Sequence, residues 1–269
     1  MPHLERENGS LYYEVHECPL PWVQRPATIL FCHGVATNAD IWAGWLPTLS
    51  VHYRVVRFDT RGFGRSAVPG AGFPWSMDLL VDDVLAIAGA SDTKKFHLVG
   101  ESLGGTVALA TAINHGTRLL SVTALSTSHI GGSIQRVREW RDFIGREGMP
   151  AWSKQMMPLR FHDGAVADQV YRWFDEVQSA SSADSVLDLA DLLIGTDLTR
   201  SLPSIAVPAL LMAPDASPFV SLDLTREIHK LIPGCELQVF AGARHGLACS
   251  HADACSRTLM DFIERKGLG

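Results

Sequence analysis

Short apolar runs alternate with helical patterns along most of this 269-residue chain, and this alternation restricts the fold more than any other feature. Continuous apolar runs are typical of strands that are buried on both faces of a parallel sheet. Such runs occupy 27–32, 53–58, 96–99, 120–125, 209–212 and 236–240. Helical periodicity covers 76–90, 106–113, 222–232 and 252–266. The pattern predicts an α/β fold with a mostly parallel central sheet and helices on both faces.

The alternation breaks once, at Gly131-Gly132. From about residue 133 to residue 193 the sequence has helical periodicity and no convincing strand pattern. We therefore predict a core formed by residues 1–130 and 200–269, with a helical cap inserted at 131–199. We expect this cap to cover the carboxyl edge of the sheet, where ligands bind in open α/β folds.

Composition excludes several classes of protein. Hydrophobic residues make up 46% of the chain, enough for a large core, and the net charge is −6 without any Lys/Arg run, so no nucleic-acid partner is expected. No apolar stretch reaches the roughly 18 residues of a membrane span, and the first residues do not resemble a signal peptide. Five scattered cysteines without a C-x-x-C pattern argue against disulfides and zinc. We expect a cytoplasmic protein without a metal; a homodimer remains open.

The segment Gly100-Glu101-Ser102-Leu103-Gly104 places a serine between two glycines, after an apolar run and before a helical pattern. A serine hydroxyl is a weak nucleophile that must be exposed beside a base. A sharp strand-to-helix turn exposes it, and the glycines make room for neighbouring backbone. The pentapeptide alone is also typical of an ordinary Gly/Ser turn. In this context it predicts that Ser102 is a nucleophile.

Four segments spread over nearly the whole chain resemble the α/β-hydrolase superfamily, in the order found in that family. They are His33-Gly34, the D-x-R-G-x-G-x-S pattern of Asp59–Ser66, the Gly100–Gly104 turn, and Gly242–Gly246. The second segment looks most like the serine esterase, enol-lactonase and carbon–carbon hydrolase branches. The resemblance implies an α/β-hydrolase fold and a hydrolase that needs no cofactor.

The resemblance also implies roles for single residues. His245 follows the last apolar run and comes last in the Ser…Asp…His order, so it is the expected general base. The backbone N–H groups of Val35 and Leu103 are expected to form the oxyanion hole. We expect His33 to shape the loop around Val35 rather than to transfer protons, and it is a candidate pocket residue together with Gly34.

The triad acid is where the sequence departs from the family. The family pattern runs from a strand into G-x-x-D, and Ser217 occupies that acid position here. The nearest carboxylate is Asp215, and residues two apart in an extended segment point to the same side. We therefore predict Asp215 as the partner of the histidine. The alternatives are that Asp215 is an ordinary turn residue, or that Asp223 or Asp197 supplies the acid.

The predicted cap is rich in aromatic and methionine side chains. At helical spacing such residues pack mainly against one another, and a minority is expected to line a pocket for a small-molecule substrate. The pocket candidates are Trp140, Trp152, Met156 and Trp173. Arginines usually lie on a solvated face, but a few in this region are candidates for binding a substrate carboxylate. They are Arg136, Arg138, Arg141 and Arg160.

Taken together, these features predict a serine hydrolase that cleaves a carboxylic ester or lactone through an acyl-enzyme, without cofactor or metal. Hydrolysis of a carbon–carbon or amide bond, or perhydrolysis, by the same residues is an alternative, because a fold does not determine the substrate. A second alternative is a non-catalytic protein that binds a small molecule, which the missing acid favours. A third is cofactor-free oxygenation with His245 as the base.

Overall fold

A computed structural model describes residues 2–134 and 139–269. The strands within these residues are β1 (His3–Leu4), β2 (Leu11–His16), β3 (Thr28–Cys32), β4 (Arg54–Phe58), β5 (Phe96–Glu101), β6 (Leu119–Leu125), β7 (Ala209–Pro214) and β8 (Glu236–Phe240). The α-helices are α1 (Leu46–Leu49), α2 (Met77–Ala90), α3 (Leu103–His115), α4 (Trp140–Arg160), α5 (Asp168–Ser179), α6 (Ala183–Ile194), α7 (Leu222–Leu231), α8 (Leu247–Ser250) and α9 (Ala252–Arg265). A 3₁₀ helix spans Ala39–Trp45.

The strands form a single sheet in the order β1-β2-β4-β3-β5-β6-β7-β8. The pairs β1–β2 and β2–β4 are antiparallel, and all the pairs from β4 to β8 are parallel. The predicted mostly parallel sheet is therefore confirmed. Strand β5, which leads into the serine turn, lies near the middle of the sheet with β3 and β6 as neighbours.

Alternate residues of the central strands face two separate apolar clusters. In β3, Leu30 and Cys32 belong to a cluster shared with helices α2 and α3. Ile29 and Phe31 belong to a second cluster, which includes side chains of the 3₁₀ helix and of α9. Because successive side chains of a strand point to opposite faces, helices cover both faces of the sheet, as predicted.

Helices α4, α5 and α6 make up most of the described part of the segment between β6 and β7. Helix α4 is kinked at Gly148, whose φ is 79° and ψ is 171°. An isolated bridge between Ile130 and Asp197 joins the two ends of the segment. The division into a core and a cap at residues 131–199 stays a prediction.

Buried His97 gives the fold a pH dependence. Its Nδ1 lies 2.8 Å from the Ser121 hydroxyl, and burial lowers its pKa from 6.5 to about 4. The unfolded chain therefore binds a proton at a higher pH than the folded protein does, so this contribution to stability is lost as the pH falls from about 6.5 toward 4. Between about pH 7 and about pH 4.5 we expect the wild type to lose about 2.5 kcal/mol more unfolding free energy than His97→Gln. Urea unfolding at both pH values measures this, and equal losses would contradict it.

Candidate active site

Ser102 occupies a strained turn between β5 and α3. Its φ is 57° and its ψ is −119°, a backbone conformation that residues other than glycine rarely adopt. The backbone segments at the turn lie so close together that a Cβ at Gly100 would be 2.1 Å from the Gly104 carbonyl oxygen. A Cβ at Gly104 would be 2.1 Å from the carbonyl oxygen of Cys32. Both glycines are therefore required, which accounts for the sequence pattern around the serine.

His245 lies against Ser102. Its Nε2 is 3.1 Å from the Ser102 Oγ, and its ring makes an edge contact with Phe219 at 4.8 Å between centroids. Burial, and secondly the positive charge of Arg160, lower the pKa of His245 to about 3. The structure thus brings the predicted nucleophile and base into hydrogen-bond contact and keeps the imidazole neutral.

The structure does not place Asp215 against His245. The Asp215 Oδ1 instead accepts a hydrogen bond from the Gly242 amide at 2.6 Å. The chain turns directly after β7 and is not extended there, so residues two apart do not point to the same side. Of the other two carboxylates, Asp223 pairs with Arg226, at 3.0 Å, and Asp197 accepts from Thr199. The predicted position of Asp215 is corrected accordingly: it holds the loop that leads to the histidine.

The residue that contacts the far side of the imidazole is Ser217. Its Oγ lies 3.2 Å from the Nδ1 of His245 and accepts the backbone N–H groups of Phe219 and Val220, at 3.3 Å each. A hydroxyl oxygen has two lone pairs and one proton. Because the two amides occupy the lone pairs, we assign the hydroxyl proton to the contact with Nδ1 and the ring proton to Nε2. In this tautomer His245 donates to Ser102, whereas a general base has to accept from it.

Two backbone amides near Ser102 are suited to bind an oxyanion. The Leu103 amide is in the first turn of α3, and Val35 lines the same cavity as Ser102. Within the described residues neither amide donates to another protein group. Unpaired N–H groups at a helix start are natural anion ligands. The role of the Val35 and Leu103 amides as an oxyanion hole stays a prediction.

His33 holds the loop that carries Val35. It is fully buried, its Nε2 accepts the Thr60 amide at 2.8 Å, and its Nδ1 lies 2.7 Å from the Gly34 carbonyl oxygen. Since the amide proton occupies Nε2, the ring proton is on Nδ1 and points to that carbonyl. The loop runs close to the nucleophile, because a Cβ at Gly34 would be 3.0 Å from the Ser102 Cβ.

Comparisons with known proteins agree on one fold. Residues 27–157 match the family model described as the alpha/beta hydrolase fold. A protein of Caulobacter sp. (strain K31) named "Putative carbamate hydrolase RutD" is 26% identical, over 94% of this chain and 96% of the relative. The enol-lactonase from Burkholderia xenovorans LB400 has a TM-score of 0.86 at 24% identity, covering 98% of this chain and 100% of that structure. A bromoperoxidase from Bacillus anthracis has a TM-score of 0.85 at 21% identity, covering 95% and 96%.

The chain has the α/β-hydrolase fold. The names of these relatives refer to different reactions, namely those of a carbamate hydrolase, an enol-lactonase and a bromoperoxidase, so they do not indicate one reaction for this chain. In the part of the chain that the structure describes, no helix has the length and apolar character needed to span a membrane.

The cavity of this protein lies directly beside Ser102 and His245 and has a volume of about 30 Å³. The segment between β6 and β7 and the rest of the chain both contribute to its wall. The lining residues are Val35, Ser102, Thr106, Ser126, Ser128, Ile134, Trp140, Arg160, Leu193, Phe219, Val220 and His245.

Among the predicted pocket residues of the cap, Trp140 lines the cavity and the other three do not. Trp152 packs behind Trp140, at 5.0 Å between ring centroids. Met156 contributes to a cleft on the outside of α4, and Trp173 lines a separate cleft together with Cys249. Large side chains at helical spacing fill contacts between helices first, so only the one nearest the site reaches it.

The candidate arginines also differ in whether they line the cavity. Arg160 lines the cavity, whereas Arg141 is exposed and pairs with Asp191 on α6. Arg136 and Arg138 lie outside the described residues. Ser217, the partner of the histidine, is the residue whose role the sequence analysis missed. The signal was present, because family spacing places Ser217 at the acid position.

The low pKa of His245 has a kinetic consequence. A general base must be neutral. With a pKa of about 3, His245 stays neutral at pH values far below 6.5, the ordinary pKa of a histidine. We expect kcat/KM to stay nearly constant from about pH 7 down to about pH 4. Burial raises the pKa of the neighbouring Glu101 to about 7, so profiles of the wild type and Glu101→Gln are measured together. A fall centred near pH 6.5 that persists in Glu101→Gln would contradict the assignment.

Proposed function

We propose that this protein is a serine hydrolase that cleaves a carboxylic ester or lactone of a small molecule, without a cofactor. The observation that carries the proposal is the 3.1 Å contact between the Ser102 Oγ and the His245 Nε2 at the wall of a cavity. The enol-lactonase name of a structural neighbour supports a lactone or ester. The proposal includes a cap at residues 131–199 over the site and a location in the cytoplasm.

In the proposed reaction, the Ser102 oxygen attacks the substrate carbonyl carbon while its proton passes to the Nε2 of His245. The amides of Val35 and Leu103 hold the negative charge that develops on the carbonyl oxygen. His245 then gives the proton to the leaving oxygen, and the acyl group stays on Ser102. Water attacks this ester, again losing a proton to His245, and the acid is released with Ser102 restored.

This sequence of steps needs the tautomer of His245 with its proton on Nδ1. The hydrogen bonds of Ser217 favour the other tautomer. Turnover therefore requires that Nε2 lose its proton to solvent, that Nδ1 take one up from solvent, and that the Ser217 hydroxyl turn its own proton away from Nδ1. We infer that ester cleavage is slow compared with a family member that has a carboxylate at position 217. The proposal therefore predicts slow ester cleavage even though Ser102 and His245 are already in contact.

A fluorophosphonate probe tests the proposal directly, because it reacts only with serines whose oxyanion site and base are in place. We expect stoichiometric labelling, located at Ser102 by peptide mass spectrometry, and none in Ser102→Ala. Ser126 and Ser128 line the same cavity and serve as internal controls. Labelling elsewhere, or none in folded wild type, would reject the proposal.

A second candidate is a protein that binds a small molecule without cleaving it. The observation that favours it is the hydroxyl of Ser217 in the place of the acid. Inertness to the probe combined with saturable ligand binding would support it. If the probe reacts, a panel of esters, lactones, carbamates, amides and carbon–carbon ring-cleavage products determines the bond. Carbamates are included because of the name of the relative from Caulobacter.

A further inference from the structure

The cavity contains a buried positive charge. Arg160, the last residue of α4, is only 7% exposed and lines the cavity with Ser102 and His245. Its Nε donates to the Gln178 Oε1 at 2.6 Å. Among the described residues, the Nη groups donate to no protein atom and no carboxylate lies within ion-pair distance of the guanidinium. Two N–H-bearing nitrogens are therefore left for the cavity.

The orientation of this guanidinium is set in advance. Gln178 is fully buried, and its Nε2 donates to the Ser153 Oγ at 2.9 Å, which turns its Oε1 toward Arg160. The guanidinium carbon lies 5.2 Å from the centroid of the Phe174 ring, which supports it from the cap. A group held by such contacts loses little freedom when it binds a ligand.

No carboxylate of the described residues neutralises this charge by direct contact. Buried charges are normally paired, and burial here lowers the pKa of Arg160 to about 10. The carboxyl group that interacts with it electrostatically is Glu101, whose Oε1 accepts the Ala248 amide at 2.8 Å. Burial raises the pKa of Glu101 to about 7, so this carboxyl is only partly ionised near neutral pH.

We propose that Arg160 is an anion subsite and that the substrate carries a carboxylate which its guanidinium binds. The inference rests on the proposed function and names the class of ester or lactone. A planar guanidinium matches a carboxylate through two parallel hydrogen bonds.

The subsite also acts on the base. The positive charge of Arg160 is one of the two causes that hold the pKa of His245 down, after burial. A bound carboxylate offsets that charge and makes His245 a stronger base while the substrate is present. A carboxylate on the substrate thus promotes both binding and proton transfer. It supplies part of the negative charge that family members have in the carboxylate at position 217.

Matched ester pairs test the subsite. Monomethyl esters of dicarboxylic acids, from malonate to adipate, are compared with methyl esters in which an isopropyl group replaces the carboxylate. We expect the wild type to prefer the anionic ester in kcat/KM by about 10- to 100-fold at one chain length, the usual strength of a charged hydrogen-bonded pair. Acid release followed in a pH-stat measures both series.

Two variants remove the free charge in different ways. Arg160→Met deletes the guanidinium, and Gln178→Glu places a carboxylate beside it in nearly the same shape. We expect each to lower the anionic-to-neutral ratio at least tenfold. Arg160→Lys is expected to retain part of the preference. Arg141→Met is the matched control, because Arg141 is an exposed cap arginine away from the cavity, and its ratio should equal that of the wild type.

The proposal would be overturned if the wild-type ratio of kcat/KM for the anionic ester to that for the neutral ester were near or below unity at every chain length. An unchanged ratio in folded Gln178→Glu would overturn it as well. If the wild type cleaves none of the esters, the proposed function fails and the subsite is judged by binding. Calorimetric titration of succinate and its homologues into Ser102→Ala then decides. Dicarboxylate binding to Ser102→Ala that is lost in Ser102→Ala/Gln178→Glu supports the subsite. If Ser102→Ala binds none of the dicarboxylates, the subsite is rejected.

Discussion

Replacing Ser217 with aspartate is expected to raise kcat for ester cleavage by about 10²- to 10⁴-fold. A carboxylate has no proton to donate at neutral pH, so it can only accept from the Nδ1 of His245. The amides of Phe219 and Val220, which now donate to the Ser217 hydroxyl, would hold the new carboxylate. The variant thus fixes the tautomer in which Nε2 takes the proton of Ser102.

Ser217→Asn is the matched control for this variant. It has nearly the same shape as aspartate, but it lacks the charge and can donate its own proton, so no comparable gain is expected. Nitrogen-15 NMR of the histidine ring reports the tautomer independently of turnover. We expect the proton on Nε2 in the wild type and on Nδ1 in Ser217→Asp. A folded Ser217→Asp with the wild-type tautomer and the wild-type rate would refute the assignment.

The second large effect concerns the nucleophile and depends on position 217. In the serine-protease template, removing the acid alone lowers kcat by a factor on the order of 10⁴, and removing the serine lowers it by a factor on the order of 10⁶. In a protein that already lacks the acid, removing the serine therefore lowers kcat only by a further factor of about 10². We expect Ser102→Ala to lower kcat about 10²-fold in the wild type and about 10⁴- to 10⁶-fold in Ser217→Asp.

The double variant separates this expectation from a general loss of structure. Ser102→Ala and Ser102→Ala/Ser217→Asp are expected to have the same residual rate, because the new carboxylate acts only through His245 and Ser102. Rates of the four proteins, measured with one ester, complete the cycle. Losses of equal size in the two backgrounds would mean that position 217 acts independently of the nucleophile.

Much of the fold follows from local sequence rules. The apolar runs predicted the buried strands because a parallel strand covered on both faces has little choice but to be apolar throughout. The boundaries differ by a few residues: β5 continues to Glu101, and α3 begins already at Leu103. Both differences come from the turn at Ser102, which joins the two elements without any intervening loop.

The site was predictable where backbone geometry restricts the residue type. Gly100 and Gly104 are required by backbone contacts, and Ser102 between them was therefore readable from the sequence. The partner of His245 was not, because the choice between Asp215 and Ser217 depends on a turn whose geometry involves the loop after β8. Tertiary contacts decide such a position, and a period-2 argument from the chain alone does not contain them.

The pocket residues show the same limit. Trp140, Trp152 and Met156 lie on one kinked helix and have similar chemistry, yet only the first faces the cavity. Whether a large apolar side chain meets solvent, another helix or a ligand depends on the packing partner. The charge of Arg160 was conspicuous in the sequence, but its importance comes from burial without a carboxylate in direct contact among the described residues, which the structure reveals.

The kink in α4 divides the helix into two parts, and each part contributes a residue to the cavity wall. The carbonyl oxygen of Arg160 accepts the Gly246 amide at 3.0 Å, and Arg244 donates to the carbonyl oxygen of Pro158. These bonds join the end of α4 to the loop that carries His245, so the position of the Arg160 guanidinium is coupled to that of the imidazole. Trp140 and Arg160 thus stand on different halves of one kinked helix, and the half with Arg160 is bonded to the loop of the base.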